Sequence, residues 1–316
     1  METIKRKVIQ IANSTQLISL PRKWSIKYGI KKGDELEIEE QGNKILIATE
    51  NVQESGSIEI EVTDMDRDSL MYLIRSLYIR GYDEIKINFS KQTTYNHRTG
   101  KEEKVISIIH EEVNRLSGVE VIQHKENYCL IKDIAQGSIK EFDVVLRRIF
   151  LLLVDGSSDL LKGSSRGDLY LVDSLQEKHN TITKFIANNL RLLNKVGYPK
   201  NKDTALLYYI IASLDNITDI LKECARDIVA LKIKFSKETE NILKIVNDSL
   251  RDYHEFFYKF DIIFLKTITS RRYTMLKDIS KFSKKINPNE LRLMVNMWHI
   301  VEQILDLSIA RVGLEY

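Results

Sequence analysis

Apolar residues recur along this chain in three rhythms, and each rhythm marks a region. In the first fifty residues they form short runs: Val8, Ile9 and Ile11, then Leu17, Ile18 and Leu20, then Leu36 and Ile38 alternating with Glu35, Glu37 and Glu39, then 44–48. Such alternation predicts half-buried strands. Asn13-Ser14, Lys32-Gly33-Asp34 and Gly42-Asn43 supply turns. Pro21 suits the first turn of a short helix, where its missing N–H is harmless. Trp24 and Tyr28 share one face of that helix, and Gly29 suits its C-terminus.

Residues 57–135 mix the two periods. Strands are expected at 58–62, 85–89, 119–122 and 128–131, and helices at 66–80 and 101–116. Asp64 or Asp66 is placed to cap the first helix and Gly81 to end it. The order βαβαββ requires at least one crossover between parallel strands. The segment 91–100 reads as a polar loop.

From residue 138 the rhythm is helical throughout, with helices expected at 139–162, 168–197, 203–232, 237–266, 270–285 and 288–314, three helices twice. Asn287-Pro288-Asn289-Glu290 joins a cap, a proline at the first helical position and an early acid. In the third helix Leu207, Ile210, Leu214, Ile217, Leu221, Cys224, Ile228 and Leu231 make a stripe at steps of three and four. In the sixth, Leu291, Met294, Trp298, Val301 and Leu305 do the same.

Two acidic pairs lie beside these stripes. Asp215 and Asp219 fall within Leu214-Asp215-Asn216-Ile217-Thr218-Asp219, and Glu302 and Asp306 within Val301-Glu302-Gln303-Ile304-Leu305-Asp306, 87 positions later. Carboxylates four apart share a helix face and repel by a few tenths of a kcal/mol, so a partner is expected: water, a basic side chain or a hard cation. Asp155/Asp159, Asp173/Glu177 and Asp248/Asp252 have the same spacing. Recurrence in two aligned copies distinguishes the first two pairs.

Composition narrows the picture only locally. Net charge is +3 over 316 residues, yet residues 1–33 hold Lys5, Arg6, Lys7, Arg22, Lys23, Lys27, Lys31 and Lys32 against Glu2 alone. A basic module of this kind points to phosphate contacts on nucleic acid. Cys129 and Cys224 form no CxxC, which leaves a disulfide framework or zinc knuckle without support and makes a reducing cytoplasm the expectation. There is no secretory leader pattern, and the apolar run 149–154 is far short of the roughly 20 residues that span a bilayer. None of the six histidines has a Glu three residues before it, as di-iron bundles need. Phosphate-cradling and nucleophile-elbow motifs are missing too, so no enzyme is expected.

The run Ser19-Leu20-Pro21-Arg22-Lys23-Trp24, followed by Tyr28-Gly29-Ile30-Lys31-Lys32-Gly33-Asp34-Glu35-Leu36, resembles the AbrB/MazE/SpoVT family of swapped-hairpin DNA-binding domains. The resemblance implies an interlocked homodimer built on Ile9, Ile11, Ile18, Leu20 and Trp24, and DNA contacts from Lys5, Arg6, Lys7, Arg22 and Lys23. The helical region is similar to PhoU, a protein of two three-helix repeats with a Glu/Asp-x-x-x-Asp signature in each third helix. Arg usually follows the first acid; here Asn216 and Gln303 stand there. That resemblance implies metal on Asp215, Asp219, Glu302 and Asp306, with Asp173 and Glu177 as additions. The ion would be iron, magnesium, manganese or zinc. Leu146-Arg147-Arg148-Ile149-Phe150 and Ile79-Arg80-Gly81-Tyr82-Asp83-Glu84-Ile85 extend the likeness to an archaeal class of PhoU-like regulators.

The expectation is therefore a multidomain α+β protein. It has a swapped-hairpin β domain at 1–52, a mixed βαβαββ module at 57–135, and an all-α duplicated three-helix bundle at 138–232 and 236–316. Its expected function is regulation of phosphate uptake. The N-terminal domain would bind DNA, and the helical repeats would bind metal and a phosphate ABC transporter or signalling protein. The alternatives are a metal-independent AbrB-type transcription regulator and an interaction scaffold that binds no DNA.

Overall fold

A computed structural model describes residues 4–11, 15–41, 44–49, 56–135, 137–232, 235–282 and 287–316. The chain forms two compact units, Met1–Ser55 and Gly56–Tyr316.

In the first unit β1 (Ile9–Ile11) pairs antiparallel with β2 (Thr15–Leu17), a short helix α1 (Arg22–Lys27) follows, and β3 (Glu37–Gln41) pairs with β4 (Lys44–Ala48). Ile18 and Leu20, expected in the second strand, lie beyond its end. Pro21 sits at the N-cap rather than inside the first turn. Gly29 and Gly33 have φ of 64° and 96°, conformations that an L side chain rarely adopts. The expected turns at Asn13-Ser14 and Gly42-Asn43 lie outside the described residues. No described side chain of this unit is buried.

The second unit begins with a four-stranded sheet in the order β5 (Ser57–Glu61), β6 (Glu84–Asn88), β10 (Tyr128–Asp133), β9 (Val119–Lys125). Helix α2 (Arg67–Arg80) makes the crossover between parallel β5 and β6. Its N-terminus is capped by Asp66, which accepts from the backbone N–H of Asp68 and Ser69. Helices α2 and α3 (Val105–Asn114) bring Leu70, Ile74, Ile108 and Ile109 into one core with Ile85, Ile87, Cys129 and Ile131 of the sheet. Two expectations are corrected here. The polar loop 91–100 contains β7 (Thr93–Asn96), and the helix expected from residue 101 starts at Val105, because Lys101–Lys104 is strand β8 paired with β7. Asn96 and Arg67 hold the Glu103 carboxylate, a tertiary hold that overrides helix propensity in Lys-Glu-Glu-Lys.

The helices that follow are α4 (Phe142–Arg166), α5 (Leu169–Asp173), α6 (Leu175–Lys195), α7 (Thr204–Leu231), α8 (Lys237–Tyr258), α9 (Ile263–Phe282) and α10 (Pro288–Glu315). The single helix expected over 168–197 is interrupted at Ser174. The helix expected to run to 266 stops at Tyr258, and Asp261 caps the start of α9 by accepting from the Ile263 N–H. Asn287 and Pro288 open α10 as anticipated. The α7 stripe is buried from Leu207 to Ile228. On α10 Met294 and Val301 of the expected stripe are fully buried and Leu291 is exposed, and the buried face is wider than expected, taking in Met297, Ile300, Ile304 and Leu307. The cause is that α10 packs against three helices, α7, α8 and α9.

The buried positions of α4 recur in α8 at an offset of 93. Ile149, Phe150, Leu153 and Leu160 correspond to Ile242, Leu243, Val246 and Tyr253. One pair of positions at this offset differs in kind. Phe256 is a core residue of α8, whereas its counterpart Gly163 lets α5 approach so closely that a Cβ would lie 2.8 Å from Val172. The sheet module and the helices share α6. Ala187 is buried in the core of the sheet module, and Arg191 reaches Asp133 at 2.7 Å, Asp83 at 3.3 Å and the Tyr78 carbonyl at 2.6 Å.

Candidate functional site

Three groups of residues were expected to carry function. The first is the basic N-terminal surface. Lys5, Arg6, Lys7, Arg22 and Lys23 are all exposed, as are Lys27, Lys31 and Lys32. The Asp34 carboxylate accepts the Lys31 N–H at 2.7 Å and so closes the turn that follows α1. Among the proposed dimer residues, Ile9, Ile11 and Ile18 are more than half exposed in the single chain, and Leu20 and Trp24 are half-buried. Ile26, Ile38 and Ile45 are also mostly exposed. A module of this size whose described side chains form no interior has little to offset the entropy of ordering its chain.

The second group is Asp215 and Asp219 on α7, which face α6. The Thr183 hydroxyl donates to Asp215 at 3.3 Å. His179 Nε2 lies 2.8 Å from Asp219 Oδ1, and the Lys222 ammonium donates to the same oxygen. From the sheet module Arg75 approaches with its guanidinium held by Glu112, at 2.7 Å and 3.2 Å, and Glu112 is wholly buried. The two aspartates are driven in opposite directions. Burial, then the neighbouring Asp219, raises the Asp215 carboxyl above its ordinary range. Burial also acts on Asp219, but hydrogen bonds from His179 and Lys222 outweigh it and hold that carboxyl well below the usual range.

The third group is Glu302 and Asp306 on α10. Arg272 of α9 donates to Glu302 at 2.6 Å, and the Trp298 indole N–H donates to the same oxygen. Asp306 is exposed. Asp173 and Glu177, proposed as additions, end α5 and begin α6 respectively; both are exposed.

The partners of these acids follow a rule that the acids alone did not reveal. Lys178 of α6 bridges Asp155 and Asp159 of α4, and Arg271 of α9 bridges Asp248 and Asp252 of α8. The next residues, His179 and Arg272, meet Asp219 and Glu302. Lys178-His179 and Arg271-Arg272 stand 93 positions apart, the offset already seen between α4 and α8. The doubled basic pair is the sequence signal that would have located these partners. Arg75, Glu112 and Lys222 carried no such signal.

The donor sets decide how well these pairs suit a metal ion. Four of the acidic pairs receive positive groups of protein side chains: Asp155/Asp159, Asp215/Asp219, Asp248/Asp252 and Glu302/Asp306. Among the described residues no group of three or more His, Cys, Asp or Glu is arranged to hold a metal ion. In this arrangement the carboxylates of α7 and α10 are engaged by protein cations. Cys129 and Cys224 are free and buried, and burial pushes both thiols up to about 12, far from reactivity. Among the described residues no helix is long and apolar enough to cross a membrane.

Comparison with known families is confined to the N-terminal module. Residues 9–53 match the MazE family, described as antidote-toxin recognition MazE, bacterial antitoxin. No curated protein and no solved structure matches the chain. The matched region overlaps the 1–52 domain expected from the Ser19–Leu36 resemblance and ends one residue beyond it, and it covers less than half of the protein. The N-terminal module thus has a MazE/AbrB-like fold over residues 9–53, a non-catalytic class.

Proposed function

We propose that the chain is a cytoplasmic transcription regulator of the AbrB type, acting as a homodimer and binding DNA through its N-terminal module without a bound metal. The observation that carries this reading is the MazE match over residues 9–53, on a module in which Lys5, Arg6, Lys7, Arg22, Lys23, Lys27, Lys31 and Lys32 are all exposed. The dimer follows from the exposed Ile9, Ile11, Ile18, Ile38 and Ile45, which a second copy of the module would cover. Lys5, Arg6 and Lys7 contact phosphates in this reading, giving affinity that falls steeply with salt.

The test is a gel-shift titration of the full chain against duplex DNA at several salt concentrations. Replacing Lys5, Arg6 and Lys7 with Gln is expected to weaken binding and to flatten the log–log salt slope by about one unit for each phosphate no longer neutralised. Unaltered affinity and slope would move the DNA-binding surface elsewhere, and no shift even at low salt would favour the scaffold reading.

A finer reading, regulation of phosphate uptake with metal and a transporter or signalling partner on the helices, draws support from the recurrence of α4 in α8 and of the acidic pairs. The protein cations on both pairs weigh toward the metal-independent form. Elemental analysis of protein purified without chelators separates the two. Stoichiometric metal that disappears in Asp215→Asn/Asp219→Asn or Glu302→Gln/Asp306→Asn would reinstate the finer reading.

A further inference from the structure

A cleft of about 330 Å³ opens between α2 and α3 of the sheet module on one side and α6 and α7 on the other. Its wall carries six permanent cations, Arg67, Arg75, Arg98, Arg115, Lys222 and Arg226, against three carboxylates, Asp68, Glu111 and Asp219. Part of that charge is neutralised inside the protein. Arg67 is held by Asp68, Glu103 and Glu111, Arg75 by Glu112, and Lys222 by Asp219.

Three other guanidiniums are less fully engaged by carboxylates and keep N–H groups that no carboxylate holds. Arg115 has its carboxylate neighbour, Glu112, at 3.9 Å, beyond hydrogen-bond reach. Arg226 directs Nε and Nη2 at the Gln176 amide oxygen, a neutral acceptor, and only Nη1 at the exposed Glu223. Arg98 is bonded to Asp68 through Nε alone, at 3.1 Å, and is 60% exposed on its side chain. Guanidinium forks bind tetrahedral oxyanions through paired N–H groups, which is why clusters of arginine recognise phosphoryl groups.

We propose that this cleft binds a small phosphorylated molecule carrying at least two negative charges, clamped by Arg98, Arg115 and Arg226. The volume admits a sugar phosphate or a nucleotide and is too small for a macromolecular segment with its own fold. Because α2 and α3 form one wall and α6 and α7 the other, an occupant bridges the sheet module and the helices. All the residues that line the cleft belong to Gly56–Tyr316, and the test does not depend on DNA binding.

The experiment is calorimetric titration of the full-length protein with inorganic pyrophosphate at low ionic strength, with citrate as a non-phosphoryl trianion. The expected result is saturable binding of pyrophosphate at one site per chain, with citrate at least tenfold weaker. Arg115→Gln/Arg226→Gln should weaken pyrophosphate at least tenfold, and Arg98→Gln alone several-fold. Lys259→Gln, at an exposed lysine after α8, should change nothing. Melting temperature checks that each variant is folded; the Arg98 variant, altered at the most exposed of the three, stands in if the double variant is not. Absence of saturable heat, equal affinity for citrate, or undiminished binding in both arginine variants would overturn the assignment. So would an equal loss in the Lys259 variant, which would mark the binding as general charge attraction.

Discussion

Asp215 and Glu302 occupy the same step of α7 and α10, each directly after a buried stripe residue, yet their surroundings differ. Asp215 lies under the sheet module, within the field of an arginine from α2, and burial raises its carboxyl. Glu302 has no such cover; its cation comes from the adjacent helix of its own half, and its side chain is about one-third exposed. Repeated sequence fixes where a carboxylate sits on a helix. What it does there depends on which other element packs over it. The sheet module covers only the first pair, and so turns one of two similar surfaces into the wall of a cleft.

The largest effect that tests this comparison is removal of the two arginines. Arg75→Gln removes the hydrogen-bonded partner of the wholly buried Glu112, and should cost about 3–5 kcal/mol in urea unfolding. Arg272→Gln should cost about 1 kcal/mol or less. Equal losses would erase the distinction.

Next come the outer acids. Asp219→Asn leaves Lys222 and His179 without their carboxylate and should cost about 1 kcal/mol, whereas Asp306→Asn at an exposed position should stay within about 0.5 kcal/mol.

The pH dependence within the first pair is a finer test. The Asp215 carboxyl is raised in the folded chain, so its ionised form subtracts stability at neutral pH, and that subtraction fades as pH falls through the raised value. Asp219 is lowered, so its contribution is complete above the ordinary Asp range and is lost only as pH falls through its depressed value. Asp215→Asn should therefore raise the melting temperature at pH 7, with a gain that shrinks toward pH 4, and Asp219→Asn should lower it across the same range. Parallel pH profiles would contradict the geometry. The smallest effect concerns the recurring cations. Lys178→Arg and Arg271→Lys should each shift stability by no more than about 0.5 kcal/mol, since each remains a cation between two acids.

Much of this arrangement was legible in the chain, because its signals were local. Asp66, Gly81, Asn287 and Pro288 end or begin helices through contacts within a few residues, and they do so where expected. Alternation located the strands of the main sheet. Strand β8 was not legible, since Lys-Glu-Glu-Lys has no apolar face and is held by Arg67 and Asn96. The break at Ser174 was hidden because no Gly or Pro marks it; there the Ser174 hydroxyl donates to the Leu171 carbonyl. The α10 stripe misled because three packing partners widen the buried face. The acids themselves were found, but their partners were not: Arg75 is far from Asp215 in sequence, and only folding brings them together.

The sharing of α6 bears on how the chain assembles as it is made. All four strands of the main sheet are complete by Asp133, but Ala187 and Arg191, which complete the core and neutralise Asp83 and Asp133, come much later. At about 5–20 residues per second of synthesis, the sheet waits several seconds, on the order of 3–12, for that helix to leave the ribosome. Until then two acids face each other without their cation and an apolar face stays open. The nascent sheet module thus carries an uncompensated acidic pair until α6 has been made.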